Sequence, residues 1–286
     1  MKTKKIIFLS LAISLLSACS QIDKIPYCCP EETPASWCQN HPCLNVDFDL
    51  ISFTLSKPSS SIIVYTLGIL TVLVGIRLSR ISKDSKSLFW WGVSLIFWGV
   101  AALFAGTSYQ AFSYEIKCRG LEVCQWTSRW ELIYLILETI SVNLMFVAVS
   151  YSSLHTGWRG KIRLYATLNT IVYTCIVIFG SSIPNWFMIS FELMILFTGP
   201  TFLAMFFVNL RNYLKAKSSA ELVLANVWVG LGIVMILYYS YYLAGITQVL
   251  WSKGIWFSQN DVLHVGLILW ILYLAKFLPA NIKDMD

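Results

Sequence analysis

Charge is scarce in this chain: Asp, Glu, Lys and Arg make up only 13% of its 286 residues, about half the share of a water-soluble domain. That scarcity, with 57% hydrophobic residues and 15% aromatics, excludes a soluble enzyme, an intrinsically disordered chain and a nucleic-acid binder. The apolar stretches also lack period-2 alternation, and a membrane-spanning sheet must close into a barrel built on that alternation, so strands are excluded as the spanning elements. No internal repeat is visible, which removes support for an inverted-repeat transporter. The formal net charge of +6 does not call for an acidic partner, because the Lys and Arg residues sit in short clusters between apolar runs. Membrane topology explains them.

What is present is a bilayer protein, with a mean hydropathy of +0.67. An α-helix needs about 20 apolar residues to cross a hydrocarbon core of about 30 Å. Runs of that kind lie near 60–78, 88–112, 129–152, 162–180, 185–208, 220–244 and 256–278. The fold class is therefore all-α, a polytopic seven-helix bundle spanning residues 60–279, with a short tail at 280–286.

Ahead of the bundle, Lys2, Lys4 and Lys5 precede the apolar stretch Ile6 to Leu16, a pattern that reads as a targeting segment. The run Leu16-Ser17-Ala18-Cys19 resembles the lipobox of bacterial lipoproteins. That resemblance implies removal of residues 1–18, lipidation of Cys19 and a bacterial inner-membrane location. An uncleaved anchor, giving eight spans, is the alternative. Residues 19–59 form a polar, Pro-containing tail with four further cysteines, too short for a core of its own and expected to staple itself over the outer mouth of the bundle.

Orientation follows from the basic residues. With the tail outside, the inner segments hold Arg77, Arg80, Lys83 and Lys86, then Arg159, Lys161 and Arg163, then Arg211, Lys215 and Lys217, then Lys276 and Lys283. The outer connections hold only Lys117, Arg119, Arg129 and Lys253. This is the positive-inside pattern. Trp126, Trp130, Trp186, Trp251 and Trp256 are placed at the outer interface, and Trp90, Trp91 and Trp158 at the inner one. The cysteines agree, because disulfides persist outside the cytosol. Apart from Cys19, and Cys175 within the fourth span, all of them fall on the outer side: Cys28, Cys29, Cys38, Cys43, Cys118 and Cys124. Cys118–Cys124 is expected as one bridge, with two more among the four tail cysteines in a pairing that spacing does not fix. A zinc cluster of those four with His41 is the competing reading.

Polar groups at membrane depth are costly and therefore mark candidate function. Glu138 in the third run and His264 in the seventh each lie about eight residues from the outer edge, roughly 12 Å at 1.5 Å per residue. Glu192 in the fifth run and Ser108 and Gln110 in the second complete a layer in the outer leaflet. Asn260 and Asp261 precede His264 by four and three residues, on its face of the helix. Glu131 and Glu138 share a face, and Ser141 follows Glu138 by three. A carboxylate beside an imidazole can orient a metal-bound water, shuttle a proton, or hold two helices together. Asp261 and Glu131 also lie close enough to the interface to be merely solvated. Gly92, Gly99 and Gly106 make a seven-residue stripe for close helix packing, and Gly199-Pro200 is expected to kink the fifth helix and open a cavity below Glu192. Tyr238, Tyr239, Tyr241 and Tyr242 line such a pocket or belong to the outer interface. His155 is expected at the surface.

Gly106-Thr107-Ser108 late in the second helix, an acidic residue in the third and His264 early in the seventh resemble the superfamily of alkaline ceramidases, progestin/adiponectin receptors and hemolysin III-like proteins. The resemblance implies a zinc-dependent hydrolase of lipid amides on a seven-helix bundle. Here Asn260 takes the first position of the seventh-helix His pair, Tyr109 or Gln110 lies where the second-helix His belongs, and Glu138 or Glu131 stands for the acidic residue. Under that resemblance His264 and Asp261 hold the metal or its water, Glu138 is the general base and Ser108 stabilises the oxyanion, with Gln110, Glu192 and Asn260 lining a lipid site. A relative that binds lipid without cleaving it, a receptor or sensor, and a structural subunit of an envelope complex are the alternatives.

Overall fold

The computed structural model describes residues 21–25, 31–48 and 51–285. The expected signal segment with Cys19, and the tail cysteines Cys28 and Cys29, lie outside them. Seven helices are long and apolar enough to cross a membrane: Pro58–Ile81, Lys86–Ala111, Arg129–Ser153, Thr156–Ser182, Phe191–Ala216, Ser219–Leu243 and Gln259–Asn281. The protein is an all-α polytopic membrane protein. Each helix matches one of the runs read from the sequence, usually with an extra turn at one or both ends. Two start late: residues 187–189 form a separate 3-10 turn and the fifth span begins at Phe191 behind an N-cap at Ser190, and the seventh begins at Gln259 behind Ser258.

Those starts have local causes. Ser85, Ser128 and Ser190 each accept a hydrogen bond from the backbone N–H three residues on, satisfying a donor that the helix itself leaves open. At the seventh span Ser258 and Asp261 form a reciprocal capping box. The second span ends differently. Its last turn, Gly106–Ala111, is a π-helical turn that carries Ser108 and Gln110 into buried positions, and such turns recur at functional sites.

Six spans close a ring in the order first, second, third, fifth, sixth, seventh and back to the first, while the fourth packs outside against the third. The glycine stripe acts as expected and has a counterpart: Gly68 and Gly75 of the first span face Gly99 and Gly92 of the second. A β-carbon on Gly99 would lie 2.6 Å from the Gly68 carbonyl oxygen, and one on Gly92 would lie 2.7 Å from that of Gly75. Trp91 departs from its expected place in the interfacial belt. It is fully buried and stacks on Trp228 of the sixth span, ring centroids 5.7 Å apart.

Strands β1, Cys43–Phe48, and β2, Ile51–Ser56, form an antiparallel hairpin in the tail, a feature that the reading of the tail as a simple staple did not contain. With the helix Pro34–Asn40 the hairpin packs on the connection between the second and third spans. Trp37 is buried there beside Cys43, Cys118 and Cys124. The bridges Cys38–Cys43 and Cys118–Cys124 are both present, so the first of these takes two members of the competing zinc cluster. Thr54 donates its backbone N–H to Glu115 at 2.7 Å, Cys124 donates to the Glu32 carbonyl at 2.8 Å, and Ser60 and Ser258 hydroxyls meet at 3.3 Å. The tail thus caps one end of the bundle, here termed the capped face.

Candidate functional site

A cavity of about 570 Å³ lies inside the helix ring, within the 300–1,000 Å³ range of small-molecule sites. All of its lining residues belong to the first, second, third, fifth, sixth and seventh spans. The floor is aromatic and aliphatic, with Trp98, Trp228, Phe202 and Leu267. Toward the capped face the lining gains Tyr134, Glu138, Tyr238 and His264. Among the described residues, Glu138 and His264 are its only charged or imidazole-bearing ones, and no Lys or Arg lines it.

Both of those side chains are 9% exposed. The imidazole Nδ1 of His264 is buried without a hydrogen-bond partner, and among the described residues Glu138 has neither a hydrogen bond nor an ion pair. Leaving a buried polar group unpaired costs about 1–3 kcal/mol. The two therefore differ from ordinary interhelical glue, which pairs. Asn143, by contrast, is such glue. It donates to Thr170 Oγ1 at 2.9 Å and accepts from Asn169 Nδ2 at 3.2 Å, tying the third span to the fourth.

The other expected site residues lie elsewhere. Ser108 donates to Glu131 Oε1 at 2.8 Å and meets the Ser128 hydroxyl at 2.6 Å, so its partner is Glu131 rather than Glu138. Lys117 closes this cluster through a buried ion pair with Glu131 and lies 4.9 Å over the Tyr109 ring. Gln110 is buried beyond the cavity lining, its Oε1 unpaired. Glu192 is exposed in the first turn of the fifth span and does not line the cavity. Asn260 is half-buried and likewise outside the lining. Asp261 is fully buried, with its Oδ2 taking the backbone N–H and hydroxyl of Ser258 at 2.5 and 2.9 Å.

Neither Asp261 nor Glu131 is solvated, as their closeness to the interface had suggested. Both follow the capping-box spacing, Ser258-x-x-Asp261 and Ser128-x-x-Glu131, but only Asp261 completes the box; at Ser128 the hydroxyl takes the Glu131 N–H while the Glu131 carboxylate turns to Lys117 and Ser108. The depths also differ from the expected common level. His264 falls in the second turn of its span, which begins at Gln259, whereas Glu138 lies nine residues beyond Arg129. Ser141, expected beside Glu138, instead donates to the Ser94 carbonyl at 2.8 Å. Of the four tyrosines in the sixth span, Tyr238 lines the cavity, Tyr239 and Tyr242 are exposed, and Tyr241 donates to the Phe257 carbonyl at 3.2 Å.

A metal expected of His264 and Asp261 finds no matching donor set: among the described residues no three His, Cys, Asp or Glu side chains gather in a group able to hold one. Asp261 spends one oxygen on its cap, and His264 stands in the cavity with Glu138. Comparison with known protein families, with curated proteins and with solved structures finds no significant match in any of the three.

Proposed function

We propose that this integral membrane protein binds an amphipathic lipid in its central cavity, the chain lying against Trp98, Trp228, Phe202 and Leu267 and the polar head meeting Glu138 and His264. One observation carries the reading: an apolar cavity inside a membrane bundle is lined by two polar side chains without a partner among the described residues, His264, whose Nδ1 is buried unpaired, and Glu138. A ligand that supplies those partners recovers the cost of leaving them unpaired. Of the relatives the sequence resembles, the reading favours one that holds lipid without metal-assisted cleavage. Support comes from Ser108, whose hydroxyl is engaged with Ser128 and Glu131 outside the cavity, and from the donor set, which does not fit zinc.

The proposed orientation places the capped face outside the cytoplasm. Its support is the basic character of the loops at the other end and the two bridges in the cap. The expectation of a bacterial inner-membrane lipoprotein rests on the lipobox-like run alone.

The test is lipid retention. Protein purified in mild detergent is expected to carry a stoichiometric amphiphile that denaturing extraction releases. His264→Ala and Glu138→Gln should each lower its affinity about tenfold, equivalent to about 1.4 kcal/mol, while circular dichroism stays helical. Unchanged retention in both folded variants sinks the reading.

A further inference from the structure

The wall of the cavity is not closed all round. Five of its lining residues are exposed on the outside of the bundle: Phe191, Ile195 and Leu203 on the fifth span, and Val229 and Gly232 on the sixth. Every other lining residue is buried or half-buried. The opening therefore lies between these two helices, at the level where hydrocarbon surrounds them, and no loop residue from either end of the bundle contributes to the wall.

Two missing side chains coincide with it. A β-carbon added to Gly232 would meet nothing within 4 Å, and one added to Gly199 would meet only Ile195 Cγ2 at 3.9 Å. The glycines that serve close packing in this bundle look quite different, since at Gly92, Gly99 and Gly266 an added β-carbon would approach a neighbour within 2.9 Å. Nearer the uncapped end the same two helices are pinned together. Asn209 donates to Glu221 at 2.7 Å, Trp228 Nε1 donates to Asn209 at 2.8 Å, and Asn212 donates to Glu221 at 3.3 Å. The helices are thus tied at one end, with open space beside Gly199 and Gly232.

The polar lining adds a constraint on what passes. It offers the Glu138 carboxyl and the His264 imidazole without any Lys or Arg. An anionic head would face a carboxyl in low dielectric with no cation to balance it. An ammonium head would find an acceptor, and its own charge would favour the carboxylate form beside it.

We propose that Gly199 and Gly232 frame a lateral portal through which a long-chain amine-headed amphiphile passes from the bilayer into the cavity, its ammonium seated against Glu138. This rests on the cavity being a lipid site, and it adds the route and the charge of the head. The probes are octadecylamine and octadecanoate, which share chain length and differ in head charge, each titrated into the full chain in neutral detergent and followed by native mass spectrometry. Wild-type protein should take up the amine at least tenfold more tightly than the carboxylate, and Glu138→Gln should erase most of that difference. Gly232→Phe should slow amine uptake at least tenfold, whereas Gly160→Phe, outside the cavity lining and with open space around its α-carbon, should leave it unchanged. Should Gly232→Phe fail to fold, Val229→Trp on the exposed rim replaces it. Equal uptake of the two probes overturns the head charge, and unchanged kinetics in the folded rim variant overturns the portal; either result leaves a lipid site standing. If neither probe binds and His264→Ala retains as much lipid as wild type, the lipid reading itself falls.

Discussion

Lys117 and Glu131 carry the largest electrostatic stake of any residues in the capped face. Both side chains are almost fully buried and paired, and Ser108 and the Tyr109 ring complete their surroundings. Removing one member of a buried pair strands the other charge, which costs about 3–5 kcal/mol, whereas replacing both with apolar groups is often close to neutral. Lys117→Met or Glu131→Leu alone should therefore destabilise by about 3 kcal/mol, and the double substitution by much less. Chemical denaturation of the three variants in micelles measures the difference. His41 is a second residue with a calculable response. Its Nδ1 lies 3.1 Å from the Trp37 carbonyl oxygen, which can only accept, so Nδ1 carries a proton. Burial, then the charge of Lys57, lowers its pKa to about 4. Between the unfolded value of about 6.5 and that figure the unfolded chain binds the extra proton and the folded one does not, so stability is full above about pH 6.5 and falls as pH drops toward 4. Melting curves across that window should show the loss, and His41→Gln should flatten it. A slope unchanged by the substitution would assign the loss to other groups.

Helix pairs are the next scale, and the first two spans show how completely small residues can set a contact. Gly68, Gly75, Gly92 and Gly99 bring the two backbones so close that a β-carbon at Gly99 would strike both Gly68 O and the Val72 backbone nitrogen, at 2.6 and 2.7 Å. Backbone cannot swing aside as a flexible side chain can. Gly99→Leu should therefore drive the first two spans apart, costing at least the 1–3 kcal/mol typical of overpacking, and a lower midpoint in thermal unfolding checks it. A leucine at the open Gly232 should be tolerated, which makes the pair a comparison of two glycines within one fold. The stripe at Gly92, Gly99 and Gly106 was readable from its period. Its partners were not, because the sequence does not state which neighbour a stripe will meet.

For the molecule as a whole, the bundle and its cap rest on different physics. Each span satisfies its backbone hydrogen bonds internally, as a membrane helix must. Among the described residues the cap is a 3-10 turn at Ile22–Lys24, one short helix and a two-stranded hairpin, too small to be stable alone, and the bridges Cys38–Cys43 and Cys118–Cys124 and contacts on Trp37 hold it. Reduction should accordingly loosen the cap and leave the bundle intact. Protease added to reduced protein in micelles is expected to cleave before the first span at least tenfold faster, with helical circular dichroism unchanged. Loss of helicity on reduction would show that the cap supports the bundle.

The number and approximate positions of the spans came from the sequence directly, because the bilayer imposes a length and an apolar composition on each segment separately. The Cys118–Cys124 bridge was equally legible, since its partners lie on one short connection. Which polar groups meet was not legible. Glu131, Glu138, Asp261 and His264 are all ionisable residues of the spans, yet Asp261 closes a helix terminus, Glu131 pairs with Lys117 and Ser108, and Glu138 and His264 line a cavity, and that division depends on the rotation of each helix about its axis and on its neighbours. One-dimensional spacing fixes a face of a helix but not what that face turns toward. Only packing in three dimensions put Glu138 and His264 on the wall of one cavity, Ser108 with Glu131, and open space beside Gly199 and Gly232.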